Sequence, residues 1–362
     1  MNNKEIKYFY LIDFLRWVAA LAILLHHYMA HFSVNELETL KYLNFFAHNA
    51  ILGSYGVWFF WVISGFVFSN IYFIKSVNFK DFFIKRFARL YPLHIFSLFV
   101  VLILQLILYY QFSEFENFNN PGYQIDLNHF ILNLLFINDG NSYNGVLWSV
   151  SIEIPVYFFF FYFSQKIKST NTIFLFLQIF FVIFLFKILL HTNLLYYHLK
   201  ACVFYFFIGV LVYFLYVKIL SKYNLFTLIS SIFFIILSII LFSLEDQFKL
   251  SYIKDLIPTT ILFFIAVIFF AISLEKYFGV NIKKISILGH SSYGLYLLHV
   301  PIQLVFIIIL KNDFISEDLF KQGEFFIIFF ILNIVTSSIV FLIFERPIQL
   351  KITKYLTNFF SN

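Results

Sequence analysis

Long apolar segments, separated by short polar ones, fill most of the chain. A window of about 19 residues with high mean hydropathy predicts a membrane-spanning helix, because that length crosses the hydrocarbon core of a bilayer. The pattern therefore predicts an all-α polytopic membrane protein with about ten transmembrane helices. The predicted spans are residues 11–29, 51–73, 91–110, 146–164, 172–190, 201–217, 224–243, 256–273, 292–310 and 325–344.

The composition agrees with a membrane protein. Of the 362 residues, 62% are hydrophobic and 12% are charged, whereas charged residues make up about a quarter of an average soluble domain. We expect contact with membrane lipid and no nucleic-acid partner. The one cysteine, Cys202, excludes an internal disulfide. We expect neither a metal ion nor a tightly bound cofactor.

The distribution of positive charge predicts the orientation, since cytoplasmic loops carry an excess of Lys and Arg. With the N-terminus placed inside, 17 of the 25 Lys and Arg residues fall in cytoplasmic segments, six fall outside and two lie within spans. This count predicts that the N- and C-termini are cytoplasmic and that the protein lies in the cytoplasmic (inner) membrane. Arg16, inside the first apolar stretch, argues against removal of the N-terminus as a signal peptide.

The chain shows no linker, repeat or charge run, so residues 1–362 are predicted to form one transmembrane domain. The longest polar segment is the outer loop at about 111–145, and long loops in compact folds are either functional or disordered. We interpret it as a lid or acceptor-binding loop, with disorder as the alternative. Residues 130–137 are a candidate re-entrant segment.

The first span carries an acid, an arginine and two histidines, which hydrocarbon tolerates only where they face protein or a wet cavity. An α-helix turns about 100° per residue, so Arg16 and His27, eleven residues apart, share a face. Asp13 lies about 21 Å from His27 along the helix and is expected to pair with Arg16. His26 points to one side, so His27 is the candidate functional histidine.

A cationic cluster follows the second span. Arg86 and Arg89 are three residues apart, so they point the same way on a helix, with Lys85 beside them. The planar guanidinium group matches phosphate oxygens, which suits a phosphorylated ligand from the cytosol. The alternative is an anchor that contacts anionic lipid headgroups.

The fourth span carries a polar face. Ser149, Glu153 and Tyr157 recur every four residues, which places a carboxylate between two hydroxyl groups. Glu153 lies about six residues, roughly 9 Å, from the outer end of its span, a depth similar to that of His27. A carboxylate in lipid is costly and marks a functional site by default. The alternative is a buried acid that only joins helices.

Three sets of residues are less specific. Ser64 and Gly65 in the second span indicate close helix packing. His299 follows two tyrosines at helical spacing in the ninth span, and a structural role is as compatible with this pattern as a catalytic one. The remaining histidines of the outer side are expected to be solvated in or near loops: His31, His48, His191 and His198.

Several of these segments, taken in order, resemble acyltransferase family 3. Its members are ten-helix membrane enzymes that move acyl groups from acyl-CoA to sugars and other acceptors. The resemblance extends over nearly the whole chain. The matching residues are Asp13-Phe14-Leu15-Arg16 with His27, Gly56-Val57 to Ser64-Gly65-Phe66, Arg86 with Arg89-Leu90-Tyr91-Pro92, Trp148-Ser149 with Glu153, Ser292-Tyr293 with His299, and Glu345-Arg346-Pro347.

The resemblance implies an acyl transfer in which His27 takes the proton of an acceptor hydroxyl or itself carries the acyl group. Glu153 and Arg16 would complete the catalytic residues. The donor would be acyl-CoA, in particular acetyl-CoA, and the acceptor a glycan or lipid-linked sugar of a bacterial cell envelope. The implied acyl-CoA-binding residues are Arg86, Arg89 and Lys85. The implied substrate-site residues are Trp148, Ser149, Tyr157 and Asp13, with His299 and Ser64 as further candidates.

Two other classes of protein remain as alternatives at this stage. Intramembrane ionisable residues also form relays in secondary transporters, although the chain lacks paired halves with matching broken helices. A non-enzymatic scaffold of the envelope would tolerate substitution of His27 and Arg16.

Overall fold

The structure, a computed structural model, describes residues 8–32, 34, 51–74, 77–116, 126–137, 142–167, 171–247, 258–279 and 283–360. All regular secondary structure within these ranges is helical. The α-helices are α1 (Tyr10–His31), α2 (Ile51–Tyr72), α3 (Phe79–Phe112), α4 (Leu127–Leu134), α5 (Leu147–Ile167), α6 (Thr172–Leu190), α7 (Tyr197–Lys218), α8 (Asn224–Gln247), α9 (Pro258–Tyr277), α10 (Ser286–His290), α11 (Ser292–Lys311), α12 (Gly323–Val340) and α13 (Arg346–Phe359).

Ten helical segments in the described ranges are long and apolar enough to cross a membrane, which confirms the predicted all-α polytopic class. Two of them extend far beyond their predicted spans. Helix α3 begins at Phe79 rather than at residue 91, and the side chain of Asn78 caps it by accepting a hydrogen bond from the Asp81 amide. The last segment continues from α12 through a π-helical turn, Phe341–Glu345, into α13. Hydropathy missed both extensions because they are polar.

The helices group into two compact units. The first unit comprises Met1–Arg16, Trp58–Ser76 and Val156–Gly289. Within it, α8 packs along α9 and α6 along α7. Helices α2 and α7 approach so closely that a Cβ added to Gly65 would collide with the Phe206 carbonyl, and one added to Gly209 would collide with the Val62 carbonyl. The predicted close packing at Gly65 is therefore confirmed.

The second unit comprises Trp17–Val57, Val77–Pro155 and His290–Asn362. Within it, α11 packs along α3 and α12, and α13 packs along α3. An apolar core joins α1, α11 and α12, and the Tyr28 hydroxyl group at its edge donates to the Phe320 carbonyl at 2.7 Å. Core members from the three helices include Leu24, Leu25, Leu295, Phe326 and Phe329.

The chain between α4 and α5 is held deep inside the second unit. The Asn144 side-chain amide donates to Ser97 Oγ in α3 at 2.6 Å and to the Leu297 carbonyl in α11 at 2.9 Å. Leu297 is fourteen residues, about 21 Å, from the end of α11 at Lys311. The Asn133 side chain, 1% exposed, accepts hydrogen bonds from Ser142 Oγ and the Tyr143 amide. The N-terminus of α5 therefore starts beside the middle of α3 and near the beginning of α11.

Candidate active site

Three imidazoles meet in the second unit. Nδ1 of His27 lies 3.1 Å from Nε2 of His31, one turn further along α1, and the two rings stack. The ring of His299, from α11, has its centroid 5.2 Å from that of His27. Neutral imidazole is both a donor and an acceptor, so His27 lies where a proton can be taken up and passed on.

The other candidate histidines lie in different environments. His26 packs against α2, since a Cβ on Gly53 would collide with its ring. The expectation that His31 is solvated in a loop is wrong, because α1 continues to His31 and turns its ring onto His27. His191 is exposed after α6, His198 is half-buried in α7, and His48 lies outside the described residues.

The beginning of α5 adds hydroxyl groups and a carboxylate to the second unit. Ser149 Oγ lies 2.7 Å from the hydroxyl oxygen of Tyr296, which also donates to the Val146 carbonyl at 2.8 Å. Glu153 is 5% exposed and lies near the hydroxyl groups of Tyr293 and Tyr296. Trp148 beside them is half-buried. Glu153 thus belongs to a polar network between α5 and α11.

The cationic cluster of α3 contains two different arginines. Arg89 forms an ion pair with Glu345, donates a hydrogen bond to the His290 carbonyl at 2.9 Å and lies over the Tyr293 ring. Glu345 is 1% exposed and sits in the π-helical turn. Arg86 is half-buried and Lys85 is exposed. Arg89 therefore joins α3 to the end of the last span, a contact that the sequence spacing alone does not indicate.

The remaining predicted site residues lie in the first unit. Arg16 Nη1 is 3.7 Å from the Asp13 carboxylate, as the helical spacing predicts, and its guanidinium group lies over the Phe60 ring. Tyr8 also donates a hydrogen bond to Asp13. Tyr157 is buried and stacks on Phe68. Ser64 is buried beside the close approach at Gly65.

No metal centre is evident: across the described ranges, no three His, Cys, Asp or Glu side chains are arranged to hold a metal ion. The sequence patterns do not place His31 and Tyr296 in the site. The spacing of His31 from His27, four residues, was a usable signal, since such pairs meet on a helix. Tyr296 lies 147 residues from Ser149, and no local sequence pattern predicts a contact over that separation.

Ten apolar helices in the described ranges, together with buried imidazole and carboxylate groups, define a multi-pass membrane protein. A family model described as an acyltransferase domain matches residues 9–345, and the chain therefore belongs to acyltransferase family 3. It is a membrane acyltransferase, which replaces the transporter and scaffold alternatives. Neither the search of curated proteins nor the search of solved structures found a match.

Proposed function

We propose that the protein transfers an acyl group, in particular acetyl, from cytosolic acyl-CoA to a hydroxyl group of a cell-envelope sugar or polysaccharide. It would lie in the inner membrane with both termini in the cytoplasm. The observation that carries the proposal is the contact of His27 with two further imidazoles, His31 and His299. A hydrogen-bonded imidazole is suited to general base catalysis.

In the proposed reaction, the acceptor oxygen attacks the thioester carbonyl carbon while His27 takes the hydroxyl proton. The carbon–sulfur bond then breaks, and the leaving thiolate receives that proton from His27. The products are an O-acyl ester and CoA with a free thiol. In a two-step alternative, a nitrogen of His27 first accepts the acyl group and then passes it to the acceptor.

On the donor side, Arg86 and Lys85 are proposed as the first contacts of the CoA phosphates. Arg89 lies on the same helix face but forms an ion pair with Glu345. We therefore propose that the main role of Arg89 is to hold α3 against Glu345, and that binding of phosphate is a second role. Arg16 lies eleven residues before His27 on α1, about 16 Å along the helix axis. We propose that it guides the pantetheine chain or polarises the thioester.

On the acceptor side, Trp148 and Ser149 are proposed to shape the site, and Glu153 is proposed to orient His27 or to stabilise its imidazolium form. The deep attachment of Asn144 supports a re-entrant interpretation of the segment before α5, because irregular backbone at membrane depth occurs where protein buries it. The contacts of Tyr157 and Asp13 lie in the first unit. Their proposed role in substrate binding therefore rests on the sequence resemblance alone.

The proposal is tested by mass spectrometry of envelope glycans from cells that carry the wild-type gene, the His27→Ala variant or the His26→Ala variant. We expect O-acyl groups with the wild type and with His26→Ala, and their loss with His27→Ala. His26→Ala is the matched control because it removes the neighbouring ring. Unchanged acylation in membranes that contain folded His27→Ala protein would refute the proposal.

The donor site has its own test. Arg86→Ala should raise the KM for acetyl-CoA in purified protein, since it removes a guanidinium group from the phosphates. Lys218 lies on α7, outside the cluster and on the predicted cytoplasmic side, so Lys218→Ala serves as the control for a general loss of charge. An Arg86→Ala variant with an unchanged KM would contradict the phosphate-binding role.

A further inference from the structure

Helix α11 carries a stripe of polar side chains that are hidden from solvent. Ser292, Tyr296, His299 and Gln303 lie within about 60° of one another around the helix axis. Their exposed fractions are 0%, 7%, 0% and 0%, respectively. The Tyr296 hydroxyl group is bonded to α5. His299 and Gln303 form the half of the stripe nearer the end of α11. Their side chains contain buried polar atoms that have no hydrogen-bond partner among the described residues.

The tautomer of neutral His299 follows from the contact of its ring with the backbone. Nδ1 lies 3.2 Å from the Leu295 carbonyl oxygen, and a carbonyl oxygen can only accept, so we assign the proton to Nδ1. In the neutral ring, Nε2 then presents a lone pair. Nε2 has no hydrogen-bond partner within the described part of the chain, although it is fully buried next to His27. Nε2 of His299 can therefore accept a hydrogen bond from a bound molecule.

Gln303 lies one turn beyond His299, and its side-chain amide has an acceptor oxygen and a donor nitrogen. Neither its Oε1 nor its Nε2 atom has a partner among the described residues. Gln105 in α3 shows the usual arrangement, since its 4% exposed amide exchanges hydrogen bonds with the backbone of Glu116 at both ends. A buried amide without partners is unfavourable, and native proteins rarely retain one unless it serves a purpose.

We propose that His299 and Gln303 form a binding subsite for the acceptor and that the acceptor is hydroxyl-rich, as sugars and polyols are. This inference rests on the proposed function and deepens it. One hydroxyl group donates to Nε2 of His299, where His27 can reach it. A second hydroxyl group accepts from the Gln303 amide nitrogen and donates to its oxygen. The two side chains are one turn, about 6 Å, apart along the axis, which matches two hydroxyl groups of one molecule.

The subsite is tested with the purified full chain in nanodiscs, with labelled acetyl-CoA and defined acceptors. Glycerol and glucose serve as hydroxyl-rich probes, and 1-butanol serves as the probe with a single hydroxyl group. Gln303→Leu should lower the ratio of kcat/KM for the polyols to that for 1-butanol by about tenfold, the effect of one or two lost hydrogen bonds. The KM for acetyl-CoA should not change. Gln303→Glu, which keeps an acceptor oxygen, should give a smaller loss.

Thermal unfolding without acceptor supplies a second readout. Gln303→Leu should raise the melting temperature, because it removes an amide that lacks protein partners. The matched control Gln105→Leu should lower the melting temperature and leave the acceptor ratio unchanged. If the wild-type protein acylates the probes and Gln303→Leu leaves the ratio of kcat/KM for the polyols to that for 1-butanol unchanged, the subsite is overturned but the proposed function is not. A wild-type protein that cleaves no acetyl-CoA with any probe would overturn the proposed function and this inference with it.

Discussion

The ion pair between Arg89 and Glu345 allows a quantitative test of how the second unit is held together. The Arg89 side chain is 18% exposed and that of Glu345 is 2% exposed. Replacing either residue by leucine leaves the other charge buried without its partner. Breaking a buried pair in this way costs about 3–5 kcal/mol of stability.

The double variant Arg89→Leu/Glu345→Leu should behave differently. Removing both charges removes the main penalty, because a buried pair can often be replaced by apolar side chains at little cost. The hydrogen bond from Arg89 to the His290 carbonyl is still lost, and a bond that involves a charged group is worth about 1.5–3 kcal/mol. The double variant should therefore be more stable than either single variant, with a coupling energy of at least about 3 kcal/mol.

The assay combines denaturation of the purified variants in one detergent with the KM for acetyl-CoA. In the denaturation measurement, Arg86→Leu is the control for the loss of a cation from α3 without loss of the Glu345 contact. If Arg89 is mainly a positioning residue, the double variant recovers both stability and KM. If Arg89 also binds phosphate, stability recovers while the KM stays raised. A double variant no more stable than the single variants, or a harmless Glu345→Leu variant, would refute this reasoning.

Two further predictions concern other contacts. His31→Ala should lower kcat by about fivefold, the value of one hydrogen bond of about 1 kcal/mol to His27, and leave the KM for acetyl-CoA unchanged; an unchanged kcat would show that His31 does not assist His27. Gly65→Ala should destabilise the first unit by about 1–3 kcal/mol, because its Cβ would press on the backbone of Phe206. Gly294→Ala, whose Cβ would meet neighbours at ordinary distances of 3.5–3.7 Å, is the control, and equal melting temperatures would contradict the packing argument.

Features that depend on one helix could be predicted from the sequence. The ten spans follow from length and hydropathy, and the Asp13–Arg16 pair follows from a spacing of three residues. The same logic places His27 and His26 on different sides of α1, and in the structure the His26 ring packs against Gly53. These inferences need only helix periodicity, which the chain carries locally.

Features that depend on packing could not be predicted. The partners of Arg89 and Ser149 lie 256 and 147 residues away, and hydropathy contains no information on which helices meet. His31 was misplaced because the apolar window ends before the helix does. Gln303 has no local signature at all, since one glutamine in an apolar span becomes noteworthy only when its missing partners are known.

The most direct test of the central claim is the acyl-transfer rate of purified His27→Gln measured beside His26→Gln. The proton-accepting role of His27 predicts a fall in kcat of about a hundredfold or more for His27→Gln, with a nearly normal KM for acetyl-CoA and a nearly normal rate for His26→Gln. A folded His27→Gln protein that transfers acyl groups at the wild-type rate would contradict the account.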